Sequence, residues 1–326
     1  MAEISSLPLV TIVVITYNSA LTLIETLTSC LDQTCDLKKV ELVISDDGSV
    51  DETAEIASQW LEVNGKSFFC SSLLLSNLNT GVAENCNRGW KKAQGKWIKC
   101  IAGDDVLLSN CIQSNIDYVN KNPCRIVFSK VLPFHVTDGK KKFHPAIPSE
   151  NAFSFFDKSA EGQLQDLLLC NVSGTPSAFI EKNLLDEVGY ADARFAFIED
   201  YPLWIKVTES KEKIHFMEEV TVLYRLQDSI SRSRANLANL KYLLDMQKIE
   251  NYILTHAYFK AGFFLRIRKK FWPSILITYV KAVKNRRSRV TEMFFYLLLC
   301  IKPLHFRQEV RPKIRFYLSR RCNLHG

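Results

Sequence analysis

The first hundred residues alternate four times between apolar runs and amphipathic stretches, and this alternation constrains the fold more than any other feature. "LVTIVVIT" (9–16), "VELVIS" (40–45), "SSLLLS" (71–76) and "KWIKCIA" (96–102) read as strands. The first is β-branched and apolar without a break, as in a strand covered on both faces. Ala20, Ile24, Leu27 and Leu31 then fall at helical spacing, with Asn18 or Ser19 as a cap. Residues 51–63 make a second helix with acids in its first turn, where the dipole favours them. Residues 81–93 make a third. This order predicts an α/β fold with a mostly parallel, Rossmann-like sheet and helices on both faces. Ligands on such sheets bind beyond the carboxyl ends of the strands. Tyr17-Asn18, Asp46-Asp47, Asn77 to Gly81 and Asp104-Asp105 all stand at those ends.

After residue 106 the pattern is mixed. A helix is expected over 109–123, a strand over 125–134 and a charged loop over 138–151. A short helix closed by Gly189, a helix over 199–210 and a strand over 214–226 follow. One continuous domain to residue 235 is the simplest reading, with a helical region over 236–326.

The paired acids carry the chemistry. Asp46-Asp47-Gly48-Ser49 also suits a turn with a helix cap. Adjacent Asp104 and Asp105 at the end of a buried strand are harder to explain that way. Two carboxylates repel, and burying them costs more than capping returns. A divalent cation removes the penalty. Hard oxygen ligands suit Mg²⁺ or Mn²⁺, which take one or two protein carboxylates and complete their shell with phosphate oxygens and water.

"VTIVVITYNSALTLIETLTSCL", "ELVISDDGSVDET", "NTGVAENCNRGWKKAQGKWIKCIAGDD" and "FAFIEDYPLWIKV" follow one another in this order. Together they resemble the family 2 inverting glycosyltransferases of GT-A fold, over residues 8–235. The resemblance implies a nucleotide-sugar-binding half over 1–105 and an acceptor half over 106–235. It implies that Thr16, Tyr17, Asn18, Asp46 and Asp47 hold the nucleotide, with Asn87 and Arg225 also on the donor. It implies Asp105 as metal ligand, with Asp104 beside it on sugar or ribose. It places the general base in the Glu199-Asp200 pair, Asp200 being preferred. Glu199 and Asp200 also suit a helix N-terminus. Inverting transfer needs one carboxylate to take the acceptor hydroxyl's proton opposite the leaving nucleotide.

Three departures from the family pattern stand out. Ala102 replaces an acid that many members carry. Asn85-Cys86-Asn87 replaces an Ala-Arg-Asn sequence, so a phosphate- or sugar-contacting Arg is either lost or substituted by Arg88. Gln227 stands where a His often follows Tyr-Arg. The Gln-x-x-Arg-Trp signature of processive synthases is missing, which favours transfer of one sugar per acceptor. Arg225, Ser229 and Ser231 resemble a segment that closes over the diphosphate, and a solvated basic loop fits them equally well.

Charge is unevenly distributed. The formal net charge is +7, yet residues 260–321 hold 17 Lys and Arg against 2 Asp and Glu. An acidic body with a basic tail points to a polyanionic partner. An anionic membrane surface and a packed helical subdomain with a basic outer face both fit the tail. Nucleic acid is disfavoured because no nucleic-acid-binding motif accompanies the charge. Ten scattered cysteines lack zinc spacing and read as free thiols of a reducing compartment. The first residues lack the pattern of a signal peptide, and no apolar stretch spans a bilayer. These features predict a cytoplasmic enzyme at the inner face of the membrane. With this tail, the family resemblance implies a UDP-sugar donor and a sugar on a polyprenyl diphosphate as acceptor, as in the bacterial enzymes of O-antigen or capsule assembly that the chain resembles. A polyprenyl-phosphate or protein glycosyltransferase, a non-catalytic nucleotide-sugar binder and a basic nucleic-acid-binding protein are the alternatives.

Overall fold

The computed structural model describes residues 9–172, 175–226, 236–256, 259 and 262–300. They fall into two units, Met1–Leu167 with Asn171–Gln227, and Leu168–Cys170 with Asp228–Gly326.

The first unit is built on one mixed sheet. β1 (Val10–Thr16), β2 (Val40–Asp46), β3 (Cys70–Leu75) and β4 (Trp97–Ala102) pair in parallel in the order β3-β2-β1-β4. α1 (Leu23–Leu31), α2 (Thr53–Asn64) and α3 (Val82–Lys92) are the crossovers. The alternating residues Val10, Ile12 and Val14 of β1 pack with Leu23 and Leu27 of α1 and with Ala57 and Trp60 of α2. The other face meets α3. There, a Cβ on Gly89 would stand 2.3 Å from Cγ1 of Val13, so only glycine lets helix and strand approach this closely. Helices therefore cover both faces, as the unbroken apolar strands require.

Beyond β4 the pairing turns mixed. β5 (Val106–Leu107), β6 (Ile126–Thr137), β7 (Lys140–Phe143), β8 (Phe179–Glu181) and β9 (His215–Arg225) extend the sheet, and β4 continues into it through antiparallel β8. β6 runs parallel to β9 and antiparallel to β8. α4 (Cys111–Lys121), α5 (Ala160–Leu169), α6 (Lys182–Val188) and α7 (Asp200–Glu209) connect these strands.

Two features depart from the sequence reading. The expected loop over 138–151 begins as a hairpin, because Asp138 and Gly139 both adopt positive φ (52° and 71°) and turn β6 back onto β7. Asp-Gly is a favoured pair for such a two-residue turn. The helix α5 was not expected at all.

In the second unit the described elements are α8 (Leu240–Thr255), α9 (Phe263–Ala282) and α10 (Arg289–Cys300). Asn239 caps α8 by accepting from the N–H groups of Lys241 and Tyr242. A buried ion pair, Lys269 Nζ to Glu250 at 2.6 Å, joins α8 to α9.

Candidate active site

The carboxyl ends of β1, β2 and β4 converge through side-chain bonds. Thr16 Oγ1 donates to Asp46 Oδ2 at 2.8 Å. Ser49 donates to the same carboxylate through its N–H at 2.9 Å and its hydroxyl at 2.5 Å. The N–H of Asn18 donates to Ser49 Oγ, and Asn18 Oδ1 accepts from the N–H of Val50. Tyr17 is exposed beside them. Gly48 adopts φ +73°, and a Cβ there would meet the carbonyl carbon of Leu78 at 2.8 Å. The Asp-Asp-Gly-Ser turn thus requires its glycine.

Asp47 ties this turn to α3. Its carboxylate accepts from the N–H groups of Thr80 and Gly81 at 3.0 and 2.8 Å and from Thr80 Oγ1 at 2.5 Å. Arg88 completes the set at 3.2 Å and also donates to Asn85 Oδ1 and to the Asp46 carbonyl. Arg88 therefore braces both acids of the turn.

The loop before α7 is drawn into the same place. The N–H of Ala83 donates to the Ala196 carbonyl at 3.3 Å. Both ends of the Asn87 amide bond the backbone of Ala191 at 2.9 Å. The Asn87 amide thus positions the loop that leads to Glu199 and Asp200, a role the sequence reading did not assign.

Asp200 opens α7, and its carboxylate accepts from the N–H of Tyr201 at 2.7 Å and from Asn171 Nδ2 at 3.1 Å. Glu199 precedes it. Burial, and then repulsion from Asp200, pushes Glu199 up to about 8, so it keeps its proton at neutral pH.

Asp104 and Asp105 follow β4. The antiparallel register Val106↔Leu223 sets them beside the end of β9. The N–H of Arg225 donates to Asp105 Oδ1 at 2.8 Å, and Arg225 Nε donates to the Asp104 carbonyl at 2.6 Å. The guanidinium is buried, lies 4.7 Å from the Phe134 ring centre and pairs with Glu25 of α1. Lys141 of β7 holds the other oxygen of Glu25 at 2.6 Å. Burial raises Glu25, but the hydrogen bonds from Lys141 and Arg225 outweigh it and keep the carboxyl below its usual range. The Arg225 guanidinium thus braces the loop that carries the paired acids, a role the sequence reading did not assign. Gln227, Ser229 and Ser231 lie outside the described residues.

Burial, then the neighbouring Asp104 charge, pushes Asp105 well above the carboxylate range, and burial raises Asp104 as well. Among the described residues no group of three or more His, Cys, Asp or Glu forms a metal cage. The donor set instead fits a cation that takes one or two carboxylates here and the rest of its shell from a bound diphosphate. Such a cation would relieve both the burial and the repulsion.

Sequence reasoning missed Glu25, Lys141 and Lys99. Lys99 is fully buried in β4, where its ammonium donates to the Pro176 carbonyl at 2.8 Å. A lysine inside an otherwise apolar strand was the available signal.

Residues 11–189 match the family model described as glycosyl transferase family 2. An uncharacterized glycosyltransferase of Rickettsia prowazekii is 30% identical over 67% of this chain and 64% of its own length. The GalNAc(5)-diNAcBac-PP-undecaprenol beta-1,3-glucosyltransferase of Campylobacter jejuni is 24% identical over 74% of each chain. WfaP of Escherichia coli, a UDP-Glc:alpha-D-GlcNAc-diphosphoundecaprenol beta-1,3-glucosyltransferase, is 26% identical over 67% of this chain and 77% of its own. Among solved structures, S. aureus TarS 1-349 in complex with UDP-GlcNAc superposes with a TM-score of 0.59 at 15% identity, covering 91% of this chain and 82% of that one. The mannosyltransferase PcManGT of Pyrobaculum calidifontis, in complex with GDP-Man and Mn²⁺, gives 0.58 at 14% identity over 98% and 87%. The chain belongs to glycosyl transferase family 2 and is a glycosyltransferase of GT-A fold.

Proposed function

We propose that this protein is a metal-dependent, inverting hexosyltransferase. It moves one Gal or Glc residue from a UDP-sugar to a lipid-diphosphate-linked sugar, such as GlcNAc-diphosphate-undecaprenol, in the assembly of O-antigen or another surface polysaccharide. The observation that carries the reading is the bonded path from the loop before α7, which leads to the Glu199-Asp200 pair, through α3 to Asp47 at the end of β2; the second acid pair, Asp104-Asp105, follows β4 of the same sheet. The loop before α7 is bonded to α3, which is bonded in turn to Asp47. The TarS complexes with UDP and UDP-GlcNAc support the donor class. The two undecaprenol-diphosphate glucosyltransferases among the relatives support the acceptor class.

In this reading Thr16, Tyr17, Asn18, Asp46 and Asp47 form the nucleotide side of the site. Asp105, with Asp104 beside it on sugar or ribose, holds Mn²⁺ or Mg²⁺. When bound, that cation supplies charge neutralisation to the leaving diphosphate. Asp200 takes the proton of the acceptor hydroxyl as that oxygen attacks the anomeric carbon from the face opposite the nucleotide. Glu199 holds its own proton at neutral pH and stands beside that base.

No helix among the described residues is long and apolar enough to cross a membrane. The basic C-terminal region is assigned to the anionic cytoplasmic face of the inner membrane, where a polyprenyl-linked acceptor is displayed.

The test is a donor screen with synthetic GlcNAc-diphosphate-lipid. UDP-Glc or UDP-Gal should give a lipid-linked disaccharide of inverted anomeric configuration. Equal transfer to water-soluble sugars, or to polyprenyl monophosphate, would remove the acceptor assignment.

A further inference from the structure

Helix α9 is apolar on two sides. Trp272, Leu276, Ile277 and Val280 are buried and form its inward face. Phe264, Ile267, Phe271 and Ile275 recur every three or four residues on another side and are between 40% and 85% exposed. An amphipathic helix of a water-soluble protein needs one apolar stripe, so the second lacks a folding role in the described unit. Exposed apolar patches of this kind mark an interaction surface.

The charges around the line indicate what covers it. Between Phe263 and Arg289 stand nine Lys or Arg and no Asp or Glu. Lys269 is spent on the buried Glu250, and Arg287 pairs with Glu292 at 2.5 Å. Lys270 is exposed on α9 with its Nζ 5.7 Å from the Phe271 ring centre, and Arg266, also exposed, donates through Nη2 to the Phe259 carbonyl at 2.7 Å. α10 repeats the pattern. Its Val290, Met293, Phe294 and Leu297 stand at i, i+3, i+4 and i+7 and are between 48% and 61% exposed. Trp272 Nε1 and Tyr279 OH of α9 donate to the carbonyls of Leu298 and Thr291 of α10 at 3.0 and 2.9 Å, so both lines belong to one packed helical unit. A nucleic acid would engage the cations and could stack on Phe264 and Phe271, but it would leave Ile267, Ile275 and the α10 line in water. A lipid surface of negative charge satisfies both at once.

We propose that α9 lies in the plane of an anionic lipid surface. Phe264, Ile267, Phe271 and Ile275 enter the boundary between headgroups and acyl chains, and Arg266 and Lys270 meet the lipid phosphates. This rests on the membrane-apposed reading above and goes beyond it by naming the inserting helix and the mode. Adsorption by charge alone is lost in salt, whereas an inserted apolar line holds on.

The test is co-sedimentation of the full-length protein with phosphatidylglycerol–phosphatidylcholine vesicles and with pure phosphatidylcholine vesicles, in low salt and in about 0.5 M NaCl. Wild type should bind the anionic vesicles and retain part of that binding in high salt. Phe271→Ser with Ile275→Ser should weaken binding by about tenfold or more with unchanged circular dichroism. Lys270→Glu with Arg266→Glu should weaken low-salt binding while leaving the salt-resistant fraction in place. Complete release of wild type by salt, or wild-type binding by the Phe271/Ile275 variant, would overturn the proposal. So would a dimer in light scattering that the Phe271/Ile275 variant breaks, since a second copy would then cover the line. The vesicles carry no donor or acceptor, so failure of the sugar-transfer reading would leave this readout unchanged.

Discussion

The N–H of Arg225 donates to Oδ1 of Asp105 at 2.8 Å across 120 residues of sequence. Through this bond the end of β9 fixes the carboxylate that is proposed to hold the cation. The Arg225 side chain fixes the preceding carbonyl, and Glu25 fixes the side chain. Partners that orient a metal ligand commonly set metal affinity as strongly as the ligand's neighbours in sequence.

Glu25→Gln should therefore weaken Mn²⁺ binding by about tenfold, read as free Mn²⁺ by electron paramagnetic resonance in the presence of UDP. Arg225→Met should do the same, and the two together should cost little more than either alone, because both changes release one restraint. Additive losses would mean that Glu25 and Arg225 act separately.

Asp200→Asn should lower kcat by about a thousandfold while UDP affinity stays within about twofold. The variant keeps an oxygen that can accept from the N–H of Tyr201, so α7 should remain intact. A variant that turns over at the wild-type rate would move the base elsewhere.

The raised Glu199 predicts a pH-dependent stability. An unfolded chain ionises this group from its ordinary value of 4.5, whereas the fold keeps the proton until about 8. Stability of the wild type relative to Glu199→Gln should thus be flat below pH 4.5 and fall as pH rises from 4.5 to 8. Thermal melts of both proteins across that range should diverge by on the order of 5 °C. Parallel melting curves would show that Glu199 ionises normally.

Gly48→Ala places a Cβ at φ +73° and 2.8 Å from a backbone carbon. It should cost about 1–3 kcal/mol of stability and weaken UDP binding, because the Asp-Asp-Gly-Ser turn must shift to accept it. Calorimetry with UDP reads both effects.

The parts of the site that were legible in the sequence are local. Asp104-Asp105 stood out because two acids at the end of an apolar strand have no cheap explanation within that strand. The parallel half of the sheet was legible because β1, β2 and β4 are predominantly apolar runs separated by helical stretches. What stayed hidden depends on distant pairing. Glu25 reads as an acid in a first helical turn, and its partner Arg225 lies 200 residues away. Asn87 sits in a motif that suggests the donor, while its amide is used by Ala191, 104 residues on. The β6–β7 hairpin was passed over although Asp138-Gly139 is a local signal, because the lysines of β7 resemble a solvated loop. Lys99 was masked by the apolar run around it, and only the fold brings the Pro176 carbonyl to its ammonium.

The central claim is that Asp105 holds a divalent cation required for sugar transfer. The most direct measurement follows transfer from radiolabelled UDP-hexose to GlcNAc-diphosphate-lipid in EDTA, and again after back-titration with Mn²⁺. Transfer should stop in EDTA and return with Mn²⁺ for the wild type, and Asp105→Asn should stay inactive at Mn²⁺ concentrations that saturate the wild type. An unchanged wild-type rate in EDTA would contradict the account.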